Sequence, residues 1–215
     1  MDPLHAASEN LRIIRQLMER ATVYRAVSGP TAFVAGLAAI LAAVSGTYHW
    51  WDTGGLRTPF FETWMAVLAL VAFFNALLLW RGARLRGEAL FTQGFRLAMR
   101  ALLPPLAVAF VFSLIWQAHG GDDHWSACLW ISGYGLALLA TRDFAPRSIV
   151  RLGGAFLIAG LVLALARHGD FAILGRLSSH AAMALTFGLF HLLYAACVPW
   201  KIGEAARQFS GNQSA

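Results

Sequence analysis

The chain has 215 residues, of which 58% are hydrophobic and only 13% are charged, and its mean hydropathy is +0.58. A soluble domain carries about a quarter charged residues, so this composition excludes an ordinary soluble protein and predicts a single all-α integral membrane domain with the lipid bilayer as its partner. The net charge of +6 does not indicate a specific nucleic-acid partner, because the arginines lie beside the ends of apolar runs and do not alternate with aromatic residues.

Residues 1–30 precede the first apolar run and predict a cytoplasmic amphipathic helix. Within 3–27, Leu11, Ile14 and Met18 recur at helical spacing, and arginines fill the other face. Two interpretations stay open. The helix lies on the inner leaflet with its arginines against anionic headgroups, or it docks a cytoplasmic protein partner.

Six apolar runs follow, each long enough to span a hydrocarbon core that needs roughly 17–25 residues of helix. They predict a six-transmembrane-helix bundle over 31–200 and a cytoplasmic tail over 201–215. The predicted spans are 31–50, 60–80, 101–118, 124–141, 149–167 and 177–200.

The distribution of basic residues predicts the orientation of the bundle. All but three of the 17 lysines and arginines fall in the terminal segments or in the second and fourth loops; the exceptions are Arg57, Arg167 and Arg176. The positive-inside rule then predicts a bacterial-type inner (plasma) membrane protein with both termini in the cytoplasm. Tryptophans near the predicted span ends are typical of interfacial belts.

Several residues within the predicted spans are expected to affect how the helices bend and pack. Pro104-Pro105 indicates either a displaced helix start or a kink. Asn75 is expected to hydrogen-bond between helices. Small residues are expected to let helices approach closely at Ala32/Gly36, Ala155/Ala159 and Ser132-Gly133-Gly135.

Each loop expected on the outer side carries a histidine followed by an aspartate. Imidazole and carboxylate are suitable ligands for a transition metal, so the loops predict an outer rim that binds a metal ion or protons if tertiary packing brings them together. The candidate ligands are His49, Asp52, His119, Asp122, Asp123, His124, His168 and Asp170. The spacing matches no compact metal motif, and turn residues such as Gly-Gly-Asp-Asp also belong in ordinary polar loops.

His180 and His191 are the candidates for binding a cofactor inside the membrane, together with Tyr194. At 100° per residue the two histidines share one helix face, and they are separated by roughly 16 Å. The alternative for His191 is a neutral imidazole hydrogen-bonded to a backbone carbonyl or to a hydroxyl, such as that of Tyr194 or Ser113. A pair of histidines ligating one haem within the chain is disfavoured, because no other span offers a histidine at the depth of His191.

Together these features favour a non-enzymatic sensor or coupling protein, with the outer rim as its binding site. No helical His-x-x-x-His pair or Gly-x-Ser-x-Gly segment occurs in the chain, so an enzyme is the weaker class. The alternatives are a metal- or haem-dependent membrane enzyme or redox subunit using His180 and His191, and a structural assembly subunit or small transporter. The sequence specifies neither the ligand nor the cofactor, and it is compatible with a homo-oligomer.

Overall fold

The computed structural model describes residues 29–52, 60–87, 93–169 and 174–198, with side chains omitted for 47–52, 86 and 93. Every secondary-structure element in these ranges is helical, which confirms the all-α prediction for the described part of the chain. The predicted amphipathic helix over 3–27 and the tail over 201–215 lie outside the described residues.

Six long helices make up the described fold, and a single 3-10 turn, Leu174–Arg176, precedes the last of them. Five of the six, all except the fourth, are long and apolar enough to cross a membrane, as in a multi-pass membrane protein. The helices are α1 Gly29–Asp52, α2 Phe60–Arg86, α3 Gln93–Ala118, α4 Asp123–Leu139, α5 Arg147–His168 and α6 Ser179–Cys197.

The second and third helices extend well beyond the predicted spans. The sequence predicted spans of 60–80 and 101–118, with a loop of twenty residues between them, but α2 continues to Arg86 and α3 begins at Gln93. The arginines of this region therefore sit on helical extensions, where long side chains reach an interface while their stems cover apolar surface. Gly87, with φ +66°, ends α2 in the left-handed region that favours glycine.

Pro104 and Pro105 lie inside α3, one helical turn after its basic residues. The helix begins about three turns earlier, so these prolines do not mark a displaced start. Because proline has no N–H, the carbonyl groups of Arg100 and Ala101 lose their bonds to the following turn.

α4 is the centre of the bundle and packs against α3, α5 and α6, whereas α1 packs against α2 and α6. Glycines bring the central helices together. A Cβ at Gly135 of α4 would lie 2.5 Å from the backbone nitrogen of Leu157, and one at Gly160 of α5 would overlap Ser132. The expectation for Gly135 is confirmed, but α5 uses Gly153 and Gly160 for the crossing while Ala155 is exposed.

α1 crosses α6 at another close contact. A Cβ at Gly36 would lie 2.8 Å from the carbonyl oxygen of Gly188, as expected for the Ala32/Gly36 pair, and Ala32 is buried. α1 also reaches α2 through a hydrogen bond from Thr31 Oγ1 to Asn75 Oδ1 of 3.2 Å. The prediction that Asn75 bonds between helices is therefore confirmed.

The middle of α6 is not an ordinary α-helix. Residues Ala184–Phe190 are wound as a π-helix between two α-helical segments, Ser179–Met183 and His191–Cys197. A π-helix bonds each residue to the fifth residue along and accommodates more residues per turn. One extra residue in the stretch shifts the following side chains by about 100° around the axis relative to an unbroken α-helix. The hydroxyl of Thr186, buried in this stretch, donates to the carbonyl of Ala182 over 2.8 Å.

Candidate functional site

The described residues of the predicted outer rim are held by separate local contacts. His119 Nδ1 lies 2.8 Å from the carbonyl of Ile115 in its own helix. Gln117 donates to Asp123 Oδ1 over 2.6 Å, and Asp122 caps α4 by accepting from the backbone N–H of His124. His124 lies in the first turn of α4 and is 2% exposed, with Nε2 3.4 Å from the Leu163 carbonyl of α5. These four described rim residues therefore make separate contacts.

Within the described part of the chain, no group of three histidine, cysteine, aspartate or glutamate side chains lies close enough to hold a metal ion. His168 is exposed at the end of α5. The side chains of His49 and Asp52, and all of Asp170, lie outside what is described. A metal site that includes those three residues stays a prediction.

Asp122 forms an ion pair that links several helices at the predicted outer end of the bundle. Its Oδ2 lies 2.7 Å from Arg167 Nη2, and the same guanidinium donates to the carbonyl of Gly175 over 3.1 Å. Burial raises the pKa of the Asp122 carboxyl, but the backbone N–H of His124 and the charge of Arg167 outweigh it, so the pKa falls below its ordinary value. Asp122 thus joins the start of α4 to the end of α5 and to the turn before α6.

Replacing Asp122 separates its two roles. Asparagine keeps the helix cap but removes the charge, so we expect Asp122→Asn to lose at most about 1 kcal/mol, because the two side chains are 43% and 41% exposed and water screens the pair. Asp122→Ala also loses the cap and should cost about 1 kcal/mol more. The measurement is the free energy of unfolding in detergent micelles.

The pH dependence of this pair has a definite sign. Because the folded pKa of Asp122 is lowered, its stabilisation is complete above the unfolded value of about 3.9 and is lost as the pH falls through the folded pKa. The gap between wild type and Asp122→Asn should therefore narrow below about pH 4. Asp143→Asn is the control, because Asp143 faces Arg142 while 85% exposed; an equal loss there would contradict the assignment.

His180 lies among aromatic rings at the start of α6. Its ring is 5.3 Å from that of Phe60 in an edge contact and 6.2 Å from that of Trp64. Gly46 of α1 leaves room for it, since a Cβ there would lie 2.6 Å from the imidazole. His180 thus contacts α1 and α2.

His191 is 4% exposed and both of its ring nitrogens have partners. Nδ1 lies 2.8 Å from the carbonyl of Phe187, and Nε2 lies 3.0 Å from the hydroxyl of Tyr134. A carbonyl only accepts, so Nδ1 carries the proton, and in the neutral imidazole Nε2 accepts from the Tyr134 hydroxyl. The expected backbone-carbonyl contact is present, but the hydroxyl comes from Tyr134 and neither from Tyr194 nor from Ser113.

The two histidines therefore contact different neighbours, His180 on α1 and α2 and His191 on α4 and α5. The expectation of a shared face assumed 100° per residue, and the π-helix between them breaks that phase. His191 lies in a cluster of rings, 5.5 Å from Tyr134, 5.4 Å from Phe156 and 6.0 Å from Phe187. Tyr194 is buried one turn further on.

A cavity of about 120 Å³ lies beside the His191–Tyr134 pair. Five helices contribute to its wall: α1, α2, α3, α4 and α6. Its lining is apolar except for the histidine, the tyrosine hydroxyl and two indoles. The residues that line it are Ala35, Ala39, Trp64, Met65, Val67, Leu68, Val71, Leu106, Trp130, Tyr134, Met183, Phe187 and His191.

Sequence reasoning missed Tyr134 and Trp64, which prove central to this cavity. Tyr134 stands in a run of small residues, Ser132-Gly133-Tyr134-Gly135, and a large side chain among residues that permit close helix packing was the available signal. Trp64 lies one turn into α2 and was assigned to the interfacial belt. It is 4% exposed and faces the interior.

Comparison with protein-family profiles, with curated proteins and with solved structures found no match to this chain.

Proposed function

We propose that the protein is a non-enzymatic membrane protein that binds a small, mostly apolar molecule in the cavity lined by α1, α2, α3, α4 and α6. The observation that carries the proposal is a cavity of about 120 Å³ whose otherwise apolar wall includes the hydrogen-bonded His191–Tyr134 pair. Ligand sites are typically mostly apolar with a few fixed polar groups, and an apolar cavity of about 150 Å³ accepts a benzene-sized molecule.

The engaged nitrogens of His191 support binding over chemistry. A metal or haem ligand needs a free lone pair on nitrogen, and Tyr134 and Phe187 already occupy both positions. A cavity of this size is also far smaller than a haem. The same contacts fix the imidazole in one orientation, which suits a ligand-binding wall.

The π-helix supports a coupling role for this site. π-helical turns occur frequently at functional sites, and Met183, Phe187 and His191 of α6 place this segment along the cavity wall. Binding of a molecule in the cavity therefore changes the contacts of the π-helical segment of α6. A cytoplasmic partner for residues 3–27 remains the proposed receiver of that change.

We further propose that α4 is a sixth span, so that both termini are cytoplasmic in a bacterial-type plasma membrane. α4 has 17 residues, at the lower limit for crossing a membrane, and it packs between α3 and α5.

Labelling of single cysteines tests this orientation in a protein with Cys128 and Cys197 replaced by serine. The variants Ser8→Cys and Ala215→Cys, made separately, should resist a membrane-impermeant maleimide in intact cells. His119→Cys should react. Reaction of only one terminus would mean an odd number of spans.

Binding is tested by nuclear magnetic resonance on protein labelled with 15N-tryptophan in detergent micelles. Titration with methylenecyclopentane, a hydrocarbon of suitable size, should shift the indole N–H signals of Trp64 and Trp130 saturably. Trp80 and Trp116 lie outside the cavity lining and should show only a linear solvent effect. An identical linear response from all four would overturn the proposal.

A matched pair of variants ties the response to the cavity. Val71 lines the cavity on α2, and Val108 is 52% exposed on α3. Val71→Phe should fill the space and abolish the saturable shifts, whereas Val108→Phe should retain them. Equal binding by both variants would place the ligand elsewhere.

A further inference from the structure

Within the described helices, the wall of the cavity is weakest between α2 and α3. α1 packs against α2, and α3 packs against α4. α1 approaches α6 closely where Gly36 meets Gly188, and the Tyr134–His191 hydrogen bond joins α4 to α6. α2 and α3, in contrast, make few contacts with each other. The seam between these two helices is therefore the side on which the cavity opens most easily.

The exposure of the lining residues indicates the same side. Trp130, Met183 and His191, which line the cavity from α4 and α6, are buried. Leu68 of α2 is 44% exposed although it lines the cavity, and Leu106 of α3 is half-buried. The cavity thus has its floor against α4 and α6 and its mouth at α2 and α3.

Aromatic rings cover the cavity towards the predicted outer end of α2 and α3. Phe61 of α2 contacts Phe110 of α3, with ring centroids 5.8 Å apart. Trp64 packs beside Phe60 and His180, with ring centroids 6.1 Å and 6.2 Å away. The seam is therefore covered at that end and looser deeper in the membrane.

The mouth lies near the middle of the bilayer. Leu68 is about 12 Å along the axis from Phe60, where α2 begins. Leu106 is about 18 Å from Ala118, where α3 ends. A hydrocarbon core about 30 Å thick consists of two leaflets, so the ends of lipid acyl chains lie about 15 Å from either surface. The groups that meet the mouth at this depth are therefore the ends of acyl chains.

A chain end suits this space better than water does. An apolar cavity of about 150 Å³ holds benzene, so a volume of about 120 Å³ has room for about four or five chain carbons. An empty cavity leaves its wall without dispersion contacts, and a chain end restores them without leaving the hydrocarbon. An ordered buried water needs about three hydrogen bonds, whereas this wall is mostly apolar.

We infer that the cavity opens sideways between α2 and α3 into the middle of the bilayer and binds the end of a lipid or fatty-acid acyl chain. This inference rests on the proposed function and names the chemical class of its ligand. The small apolar part that enters the cavity belongs to a longer molecule whose polar head stays at the membrane surface. The ligand is then recognised by the depth and shape of its chain end.

Fluorine-labelled lipids in nanodiscs test the inference. One phosphatidylcholine carries a palmitoyl chain fluorinated at its terminal methyl group, and the other carries the label next to the headgroup. With the wild-type protein, the chain-end label should give a second fluorine NMR signal, shifted by the aromatic rings that line the cavity. Methylenecyclopentane should displace that signal. The label next to the headgroup should give no second signal, because it lies far from the mouth.

Two leucines of α2 provide matched variants. Leu68 and Leu70 are 44% and 56% exposed. Leu68 lines the cavity, whereas Leu70 lies on nearly the opposite side of the helix. Leu68→Trp should cover the mouth and abolish the shifted signal. Leu70→Trp adds the same ring to the lipid-facing surface and should keep the signal.

The outcomes separate this inference from the proposed function. If methylenecyclopentane binds but the chain-end label gives no shifted signal, the inference is overturned and the cavity remains a binding site. A shifted signal that methylenecyclopentane does not displace, or that Leu68→Trp retains, also overturns the inference. Binding of neither the chain end nor methylenecyclopentane overturns both proposals. If Leu68→Trp does not fold, displacement in the wild-type protein decides alone.

Discussion

Replacing Gly135 with alanine is expected to destabilise the protein by about 1–3 kcal/mol or to prevent folding, as overpacking of a tight core does. The added methyl group would lie 2.5 Å from the backbone nitrogen of Leu157 and 2.8 Å from the carbonyl oxygen of Gly153. Both are backbone atoms, so no side-chain rotation relieves the overlap. α4 and α5 must move apart along one of the two most extensive helix contacts among the described residues.

The control for this variant is Gly154→Ala on α5. A Cβ at Gly154 would meet nothing within 4 Å, so the same substitution should be neutral or should stabilise by up to about 1 kcal/mol through helix propensity. Unfolding of the two variants by detergent denaturation gives the comparison. Equal stability would mean that the crossing at Gly135 is looser than the distances indicate.

Breaking the Tyr134–His191 hydrogen bond is the second large effect. Tyr134→Phe leaves Nε2 of His191 without a donor, and His191→Phe leaves the Tyr134 hydroxyl without this partner and removes the side-chain bond to the Phe187 carbonyl. Each change should cost about 1–2 kcal/mol, because a buried polar group loses its partner. We expect costs towards the lower end of that range, because hydrogen bonds between polar side chains inside membranes contribute only modestly to stability.

A double-mutant cycle isolates the pair. The double variant should cost less than the two single variants together, with a coupling of about 0.5–2 kcal/mol. Ser113 offers a control, because it is buried on α3 and its hydroxyl has no hydrogen-bond partner among the described residues. Ser113→Ala combined with Tyr134→Phe should be additive, and coupling of that size there would show that the cycle reports general loosening of the bundle.

The helices were predictable because their signal is local. An apolar run without charge identifies a membrane helix whatever it packs against, and the described helices α1, α4 and α5 begin and end within two residues of their predicted spans. The error at α2 and α3 has a physical origin. Hydropathy detects burial in lipid, whereas a helix rich in arginine continues into the interface without an apolar signal.

The site was less predictable because it depends on tertiary packing. The sequence predicts His124 as a metal ligand in a loop. In the structure, Asp122 caps a helix that begins one residue before the predicted span, and the imidazole is directed towards α5. For His191 the sequence left two interpretations open, a cofactor ligand or a neutral imidazole bonded to a carbonyl or a hydroxyl. Its partner Tyr134 is 57 residues away, and no local pattern links two positions on different helices.

The π-helix of α6 also sets how this protein tolerates changes in chain length. Deleting one residue from Ala184–Phe190 would let the helix rewind as a regular α-helix without breaking it, since the stretch already holds a surplus residue. The two ends of α6 would keep their relative orientation, because the wider turns let seven π-helical residues cover about the rotation that six residues cover in an α-helix. His180 would stay beside Phe60 and Trp64, and His191 beside Tyr134. A second deletion would have no surplus residue to absorb it, so it would turn the two ends by about 100° and one histidine would lose its neighbours.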